Sequence, residues 1–114
     1  MTRHPPLQFC VIGLGKMGSD WIVQLLEAGH RVVGHDCQAA MCESAPERIQ
    51  GGLQWVARKR HPEMESFVGD ALSRLVVTED EAEFIKALQT SNVLFEVVFE
   101  DLDMKCELLE RLCP

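Results

Sequence analysis

The 114-residue chain is predicted to fold as an α/β domain with an open parallel sheet. Short apolar runs with the length of buried strands alternate along it with longer segments of helical periodicity, which is the pattern of β-α-β units. A glycine-rich loop at residues 13–18 joins the first of these strands to the first helix, and an acidic residue, Asp36, ends the second strand. Parallel sheets of this kind are covered on both faces, so we expect helices on both.

The first β-α unit is the clearest part of the pattern. Residues 9–12 form a continuous apolar run, as expected for a parallel strand that is buried on both faces. In the helix that follows, Ile22, Leu25, Leu26 and Gly29 recur at the spacing of one helical face, and a glycine is well suited to end a helix. The sequence thus predicts a strand, a tight loop and an amphipathic helix in direct succession.

The G-x-G-x-x-G pattern of the loop gives each glycine a physical task. Gly13 permits the tight turn out of the strand, Gly15 lets the backbone approach a pyrophosphate, and Gly18 lets the helix pack close to the sheet. The free N–H groups and the dipole at the start of the helix favour a bound anion. We therefore predict a dinucleotide site, rather than an ordinary glycine-rich turn, with contacts from Gly13, Leu14, Gly15, Lys16, Met17 and Gly18.

Asp36 indicates which dinucleotide is bound. At the end of the second strand its carboxylate can accept hydrogen bonds from a ribose hydroxyl, and it would repel a 2′-phosphate. Sites for NADP commonly place an arginine nearby, and residues 37–47 contain none. The sequence therefore predicts NAD as the cofactor. The alternative is that Asp36 is only a solvated strand end.

The alternation of strands and helices continues after Asp36. Ser44 and Glu47 have the spacing of a capping box, which predicts the start of a second helix with Pro46 in its first turn. Residues 74–77 form a third strand, and Thr78 with Glu81 forms a capping box in front of another helix. Residues 92–98 form a fourth strand, and a last helix follows it from residue 101. This order is that of a Rossmann-type sheet.

Charge and composition narrow the class of protein. A net charge of −7 argues against binding to nucleic acid or to an anionic membrane surface. No apolar stretch approaches the ~18 residues of a membrane span, and the N-terminus has no signal-peptide or transit-peptide pattern. Five cysteines without a C-x-x-C pair favour free thiols, and their spacing matches no zinc site. We expect an intracellular protein, cytoplasmic before mitochondrial or peroxisomal, without a metal.

Several segments together resemble the NAD-binding domain of L-3-hydroxyacyl-CoA dehydrogenases, a group that includes lambda-crystallin-like dehydrogenases. They are residues 11–18, Asp36, and residues 56–60, 75–78 and 95–105. The last segment is the most specific, because it is similar to the family's EAVPEDLxxK stretch, although Phe99 stands where proline is frequent. The resemblance covers about residues 8 to 113. It divides the chain into an N-terminal extension, residues 1–7, and an incomplete Rossmann domain, residues 8–114.

The resemblance implies further site residues. Residues 13–18 would contact the pyrophosphate and Asp36 the ribose, while Glu100 and Lys105 would contact the nicotinamide side. Lys59 matches a lysine that meets the phosphate of acyl-CoA. The plainer alternatives are a helix N-terminal charge for Glu100, an exposed cation for Lys105 and a cation at a helix end for Lys59.

A second resemblance is weaker. Residues 12–18 and 25–30 are also similar to 6-phosphogluconate and 3-hydroxyisobutyrate dehydrogenases. Those proteins have a shorter path from the second strand to the third, and they lack the acidic helix start after the fourth. The downstream half of the chain therefore favours the hydroxyacyl-CoA family.

In that family a histidine takes the proton from the 3-hydroxyl and a glutamate orients that histidine, and both lie beyond the aligned region. His4, His30, His35 and His61 do not fall on the catalytic position. We therefore expect a fragment or short isoform that ends before the last strands and the helical second domain. Such a chain would bind NAD weakly, would be inactive alone, and would meet acyl-CoA only with the missing domain. The alternatives are a non-catalytic NAD-binding or interaction module and a poorly folded remnant. The oligomeric state is left open.

Overall fold

In a computed structural model, which describes residues 5–61, 63–97, 107, 110 and 111, the chain forms a four-stranded sheet. Each pair of neighbouring strands is parallel, which confirms the predicted Rossmann-type open sheet. The strands are β1 (Gln8–Ile12), β2 (Arg31–His35), β3 (Leu75–Thr78) and β4 (Val93–Glu96), in the spatial order β3-β2-β1-β4.

Helices lie between the strands along the chain and cover both faces of the sheet. They are α1 (Lys16–Glu27), α2 (Ala39–Arg60), α3 (Met64–Leu72) and α4 (Glu81–Gln89). Helices α1, α2 and α3 pack in one apolar cluster on the first face, and α4 packs in a second cluster on the other. The predicted cover on both faces is therefore confirmed.

Strand β1 contributes to both clusters because successive strand side chains point to opposite faces. Phe9 and Val11 join the cluster of α1, α2 and α3, whereas Cys10 and Ile12 pack with Phe84 of α4. Since both faces are covered, β1 is apolar almost throughout, and this explains the continuous run in the sequence.

The strand order reverses between β1 and β4. The chain passes from β1 to β2 and then outward to β3, and β4 returns to the other side of β1. Ile12 is level with His35 of β2 and with Glu96 of β4, so the three strands end together. A crevice at the carboxyl ends of the strands, where their order reverses, is the usual ligand site of an open α/β sheet.

The end of α1 agrees with the sequence prediction. Ile22, Leu25 and Leu26 are buried, and Gly29 follows the helix with a φ of 95°. In that conformation the N–H of Gly29 donates to the carbonyl of Leu26, and the N–H of His30 donates to that of Leu25. Glycine adopts positive φ without the steric cost that a Cβ would impose.

The predicted start of α2 is wrong. The helix begins at Ala39, so Ser44 is not its cap and Pro46 lies inside it. A proline inside a helix removes one backbone hydrogen bond. Here the helix continues through it because the residues on either side, including Cys42, Ala45 and Ile49, are buried against the sheet.

Two further details near α3 and α4 differ from the expectations. Helix α3 was not predicted. Helix α4 is capped by Asp80, whose side chain accepts a hydrogen bond from the N–H of Ala82, and not by Thr78. The Thr78 hydroxyl instead accepts from the N–H of Asp80 and donates to Glu83, so it shapes the turn that precedes the helix.

The predicted helix after β4, with Asp101 as its cap, lies outside the described residues. Among the helices that the structure does describe, none is both long enough and apolar enough to cross a membrane.

The α4 side of the sheet depends on Phe84. This side chain is fully buried and packs with Cys10 and Ile12. We expect Phe84→Ala to lower the free energy of unfolding by about 3–5 kcal/mol, because it leaves a cavity beneath α4. Exposed Lys86 on the same helix is the control, and Lys86→Ala should change it by less than about 0.5 kcal/mol. Urea unfolding measures both variants, and equal effects would contradict the packing described here.

Candidate cofactor site

The glycine loop, residues 13–18, leaves β1 at the point where the strand order reverses. Gly13 has a φ of 105°, a region that favours glycine, and its N–H donates to the carbonyl of His35 at 2.9 Å. On the other side of β1, the N–H of Val97 donates to the carbonyl of Ile12 at 2.8 Å. The turn out of β1 is thus tied to the last residue of β2 on one side and to the residue after β4 on the other.

Gly18 allows α1 to begin almost on top of this turn. A Cβ at Gly18 would lie 1.8 Å from the carbonyl oxygen of Gly13, a distance that the chain could not accommodate without moving its backbone. The task predicted for Gly18, a close approach between helix and sheet, is therefore confirmed by the geometry.

Gly15 is under no such constraint from the rest of the chain. Its φ is −71°, and a Cβ there would meet only the end of Met41 at 3.8 Å, an ordinary contact. Folding alone would therefore accept a side chain at this position. The absence of a Cβ instead leaves room above the loop, as a pyrophosphate that approaches the backbone would need.

The first turn of α1 offers N–H groups to an anion. Gly15 is the N-terminal residue that precedes the helix, no side chain caps it, and the first turn contains no acidic residue. The dipole of the helix favours negative charge at this end. Lys16 adds a positive charge, although it is exposed and pairs with exposed Asp20 at 3.3 Å, so that ion pair contributes little.

Asp36 lies beside the loop, as predicted. Its Oδ2 accepts a hydrogen bond from the N–H of Leu14 at 2.8 Å, and its Oδ1 accepts one from the N–H of Gln38 at 2.9 Å. The carboxylate is half-buried and fixed in orientation by these contacts. Because each carboxylate oxygen has more than one lone pair, both can still accept a bond from a ribose hydroxyl. These contacts give Asp36 a structural role beside the loop, and its contact with a ribose stays a prediction.

The sequence analysis missed Arg48. Its Nη2 donates to the carbonyl oxygen of Leu14 and its Nη1 to the hydroxyl of Ser44, so its guanidinium lies against the glycine loop. Arg48 follows directly after residues 37–47, the stretch that contains no arginine. A contact between residues 34 positions apart leaves no local pattern in the sequence. Only a correct prediction of where α2 begins would have placed Arg48 on the helical face that meets the loop.

The ends of β2 and β3 are joined beneath the site. His35 is buried, and its Nδ1 lies 2.8 Å from the carbonyl oxygen of Thr78. The Cys42 thiol donates to the carbonyl oxygens of Asp36 and Thr78. Burial raises the pKa of Cys42, and so this thiol stays protonated and keeps both contacts at neutral pH.

The other described histidines are also held away from the site. The Nδ1 of His30 accepts from the N–H of Leu7, and the Nε2 of His61 lies 3.0 Å from Glu27. Within the described part of the chain, no group of histidine, cysteine and acidic residues could hold a metal ion.

Three predicted site residues remain. Glu100 and Lys105 lie outside the described residues. Lys59 is in the last turn of α2, with its Nζ 5.1 Å from the centre of the Trp55 ring. The helix has 22 residues and begins just after Asp36, so Lys59 lies about 30 Å along it. The contact of Lys59 with acyl-CoA stays a prediction.

A groove elsewhere on the described surface does not coincide with the site. It is an open groove of about 810 Å³ between α1 and α2, lined by residues that include Glu27, Trp55 and Arg60. No residue of the glycine loop lines it. We take the loop as the candidate cofactor site because there, among the described residues, the N–H groups of an uncapped helix start meet a carboxylate at the end of a strand.

Residues 8–114 match the family model of the NAD-binding domain of 3-hydroxyacyl-CoA dehydrogenase. A sequence search of curated proteins finds no match.

Solved structures share the fold. The (S)-3-hydroxybutyryl-CoA dehydrogenase PaaH1 from Ralstonia eutropha is 19% identical, with a TM-score of 0.79 over 95% of this chain and 36% of that one. FadB2 from M. tuberculosis is 26% identical, with a TM-score of 0.79 over 95% and 36%. The 3-hydroxybutyryl-CoA dehydrogenase from Escherichia coli K12 is 26% identical, with a TM-score of 0.76 over 97% and 23%.

The chain thus spans little more than a third of the length of PaaH1 and of FadB2. The family match favours the hydroxyacyl-CoA resemblance over that to 6-phosphogluconate and 3-hydroxyisobutyrate dehydrogenases, and it confirms NAD as the cofactor. The chain belongs to the 3-hydroxyacyl-CoA dehydrogenase family and corresponds to its NAD-binding domain.

Proposed function

We propose that this chain is the cofactor-binding part of an enzyme that oxidises a 3-hydroxyacyl-CoA in fatty-acid breakdown. NAD, when bound, accepts the hydride that leaves the 3-hydroxyl carbon. The observation that carries the proposal is the glycine loop, which is held open above Gly15 and lies beside the fixed carboxylate of Asp36. The family match supports the choice of substrate class.

Different residues would contact different parts of the cofactor. The N–H groups of Gly15, Lys16 and Met17 would bind the pyrophosphate, since they belong to the uncapped start of α1. Asp36 would bind the adenosine ribose. Glu100 and Lys105 would contact the nicotinamide side, as the family resemblance implies.

The proton of the substrate hydroxyl requires a base. The described histidines, His30, His35 and His61, have other contacts away from the loop. We therefore propose that the base, and the surface that binds acyl-CoA, come from a part of the enzyme not included in these 114 residues. Lys59 is the one residue here for which we propose a contact with the CoA phosphate.

We also propose an intracellular site of action, in the cytoplasm. The described cysteines Cys10, Cys37 and Cys42 are free thiols, which is the state favoured by a reducing compartment.

The first test distinguishes the role of Gly15 in cofactor binding from the role of Gly18 in folding. Gly15→Ala should fold normally yet bind NADH at least about tenfold more weakly, because its methyl group would occupy the space above the loop. Gly18→Ala should instead lose about 2 kcal/mol or more of stability through its overlap with Gly13. Nicotinamide fluorescence measures binding and urea unfolding measures stability.

Gly51 provides the control for this pair. A Cβ at Gly51 meets nothing within 4 Å, and the residue lies inside α2. Gly51→Ala should therefore stabilise the chain by about 0.5–1 kcal/mol and leave NADH affinity unchanged. Normal NADH affinity in Gly15→Ala would count against the proposed site.

The second test concerns the choice between NAD and NADP. Asp36→Asn keeps the shape of the side chain but removes its charge, and with it the repulsion of a 2′-phosphate. We expect the preference for NADH over NADPH to fall about tenfold. The matched change Glu65→Gln, at an exposed residue of α3, removes the same charge elsewhere and should leave the preference as it was. An unaltered preference in Asp36→Asn would remove Asp36 from the ribose site.

The third test concerns turnover. The purified 114-residue chain, mixed with NAD and 3-hydroxybutyryl-CoA, should form no NADH, because the side chains of the described histidines make their hydrogen bonds elsewhere than at the loop. The same preparation must bind NADH, so that inactivity cannot be attributed to a damaged cofactor site. NADH formation, followed by its absorbance, would contradict the proposal that the base comes from elsewhere.

A further inference from the structure

The peptide groups on both sides of Leu14 are held in place by other elements. Its N–H donates to Asp36 at 2.8 Å. Its carbonyl oxygen accepts from the hydroxyl of Ser19 at 3.3 Å and from the guanidinium of Arg48. Ser19 belongs to α1, Arg48 belongs to α2, and Asp36 follows β2. The orientation of Leu14 is therefore fixed from three different parts of the fold.

The carbonyl of Leu14 determines where the next N–H points. It shares a peptide group with the N–H of Gly15, and in a planar trans peptide the C=O and the N–H point in opposite directions. Contacts that hold the Leu14 oxygen towards the helices therefore turn the Gly15 N–H the other way, out of the loop. This N–H is one of the donors that the proposed function assigns to the pyrophosphate.

Arg48 reaches the loop because of where α2 begins. With the helix starting at Ala39, Met41, Ser44 and Arg48 fall at positions i, i+3 and i+7, which lie on one helical face. The loop lies against that face, since the end of Met41 lies 3.8 Å from the Cβ position of Gly15. Ser44 accepts from Nη1 of the same guanidinium, so two acceptors hold its planar fork.

From these contacts we propose that Arg48 is a positioning residue for the cofactor. By holding the Leu14 carbonyl it sets the Gly15 N–H for the pyrophosphate before NAD arrives. Arg48 need not touch the cofactor itself. The proposal rests on the proposed function, because it assumes that the diphosphate binds at this loop.

The test compares two arginines of α2 in the 114-residue chain. Arg48→Met removes the donors and keeps an unbranched stem, while Arg58→Met removes the same charge at an exposed residue in the last turn. We expect Arg48→Met to weaken NADH binding about fivefold to twentyfold and Arg58→Met by less than about twofold. Equal NADH affinities in the two variants would overturn the proposal.

A purely structural role of Arg48 would affect all ligands of the folded chain alike. Competition with NADH therefore uses ADP, which has a diphosphate, and adenosine, which has none. Arg48→Met should lower the affinity for ADP by about the same factor as the affinity for NADH and leave the affinity for adenosine unchanged. Equal losses of affinity for ADP and adenosine would contradict a positioning role. Failure of the unmodified chain to bind NADH or ADP would instead refute the proposed function.

Arg48→Lys decides the question if Arg48→Met does not fold. A lysine can donate to the Leu14 oxygen but lacks the planar fork that also meets Ser44. We expect the NADH affinity of Arg48→Lys to lie between that of Arg48→Met and that of the unmodified chain, about threefold below the latter. An unchanged affinity in this variant would overturn the proposal.

Discussion

The close approach of Gly18 to Gly13 is the constraint on which the rest of the structure depends. Helix α1 begins so near the end of β1 that no side chain fits between them. This contact places the first turn of α1 at the carboxyl edge of the sheet, and it lays the apolar side of the helix, with Ile22 and Leu26, on the sheet. The same contact presses Leu14 inward, against Gly34 of β2, where a Cβ would lie only 3.0 Å from the Leu14 side chain.

The charge at the loop is balanced, whereas the whole chain is strongly acidic. The chain carries −7, yet at the loop the cations Lys16 and Arg48 accompany the carboxylates Asp20 and Asp36, and the positive end of the α1 dipole is added to them. The electrostatic potential at a site depends mainly on nearby groups, because water and salt screen charges beyond about 10 Å. The acidic composition therefore does not oppose the binding of a cofactor that carries a pyrophosphate. Asp36 lies beside the loop, where it accepts from the N–H of Leu14.

Local signals were sufficient for the first β-α-β unit and for β3, α4 and β4, and insufficient for α3 and for the start of α2. The first strand, the glycine turn and the helix after it were predicted correctly, because they follow one another directly and each has a short-range pattern. The start of α2 was not, since the spacing of Ser44 and Glu47 imitates a capping box inside a helix that tertiary burial of Cys42 and Ala45 extends towards Asp36. Arg48 was missed for the same reason, because its place on the helix depends on that start.

The loop also separates what the fold requires from what a ligand requires. Gly13 has a positive φ and Gly18 has no room for a Cβ, so the chain would need both glycines even as a plain structural turn. Asp36 is no better a sign of a ligand, because it holds the N–H of Leu14 in any case. Gly15 differs, since glycine costs conformational entropy and the packing around residue 15 gives nothing in return. Gly51 in α2 is equally free of packing constraints, so it is the place of Gly15 at the uncapped start of α1 that connects this freedom with a bound dinucleotide.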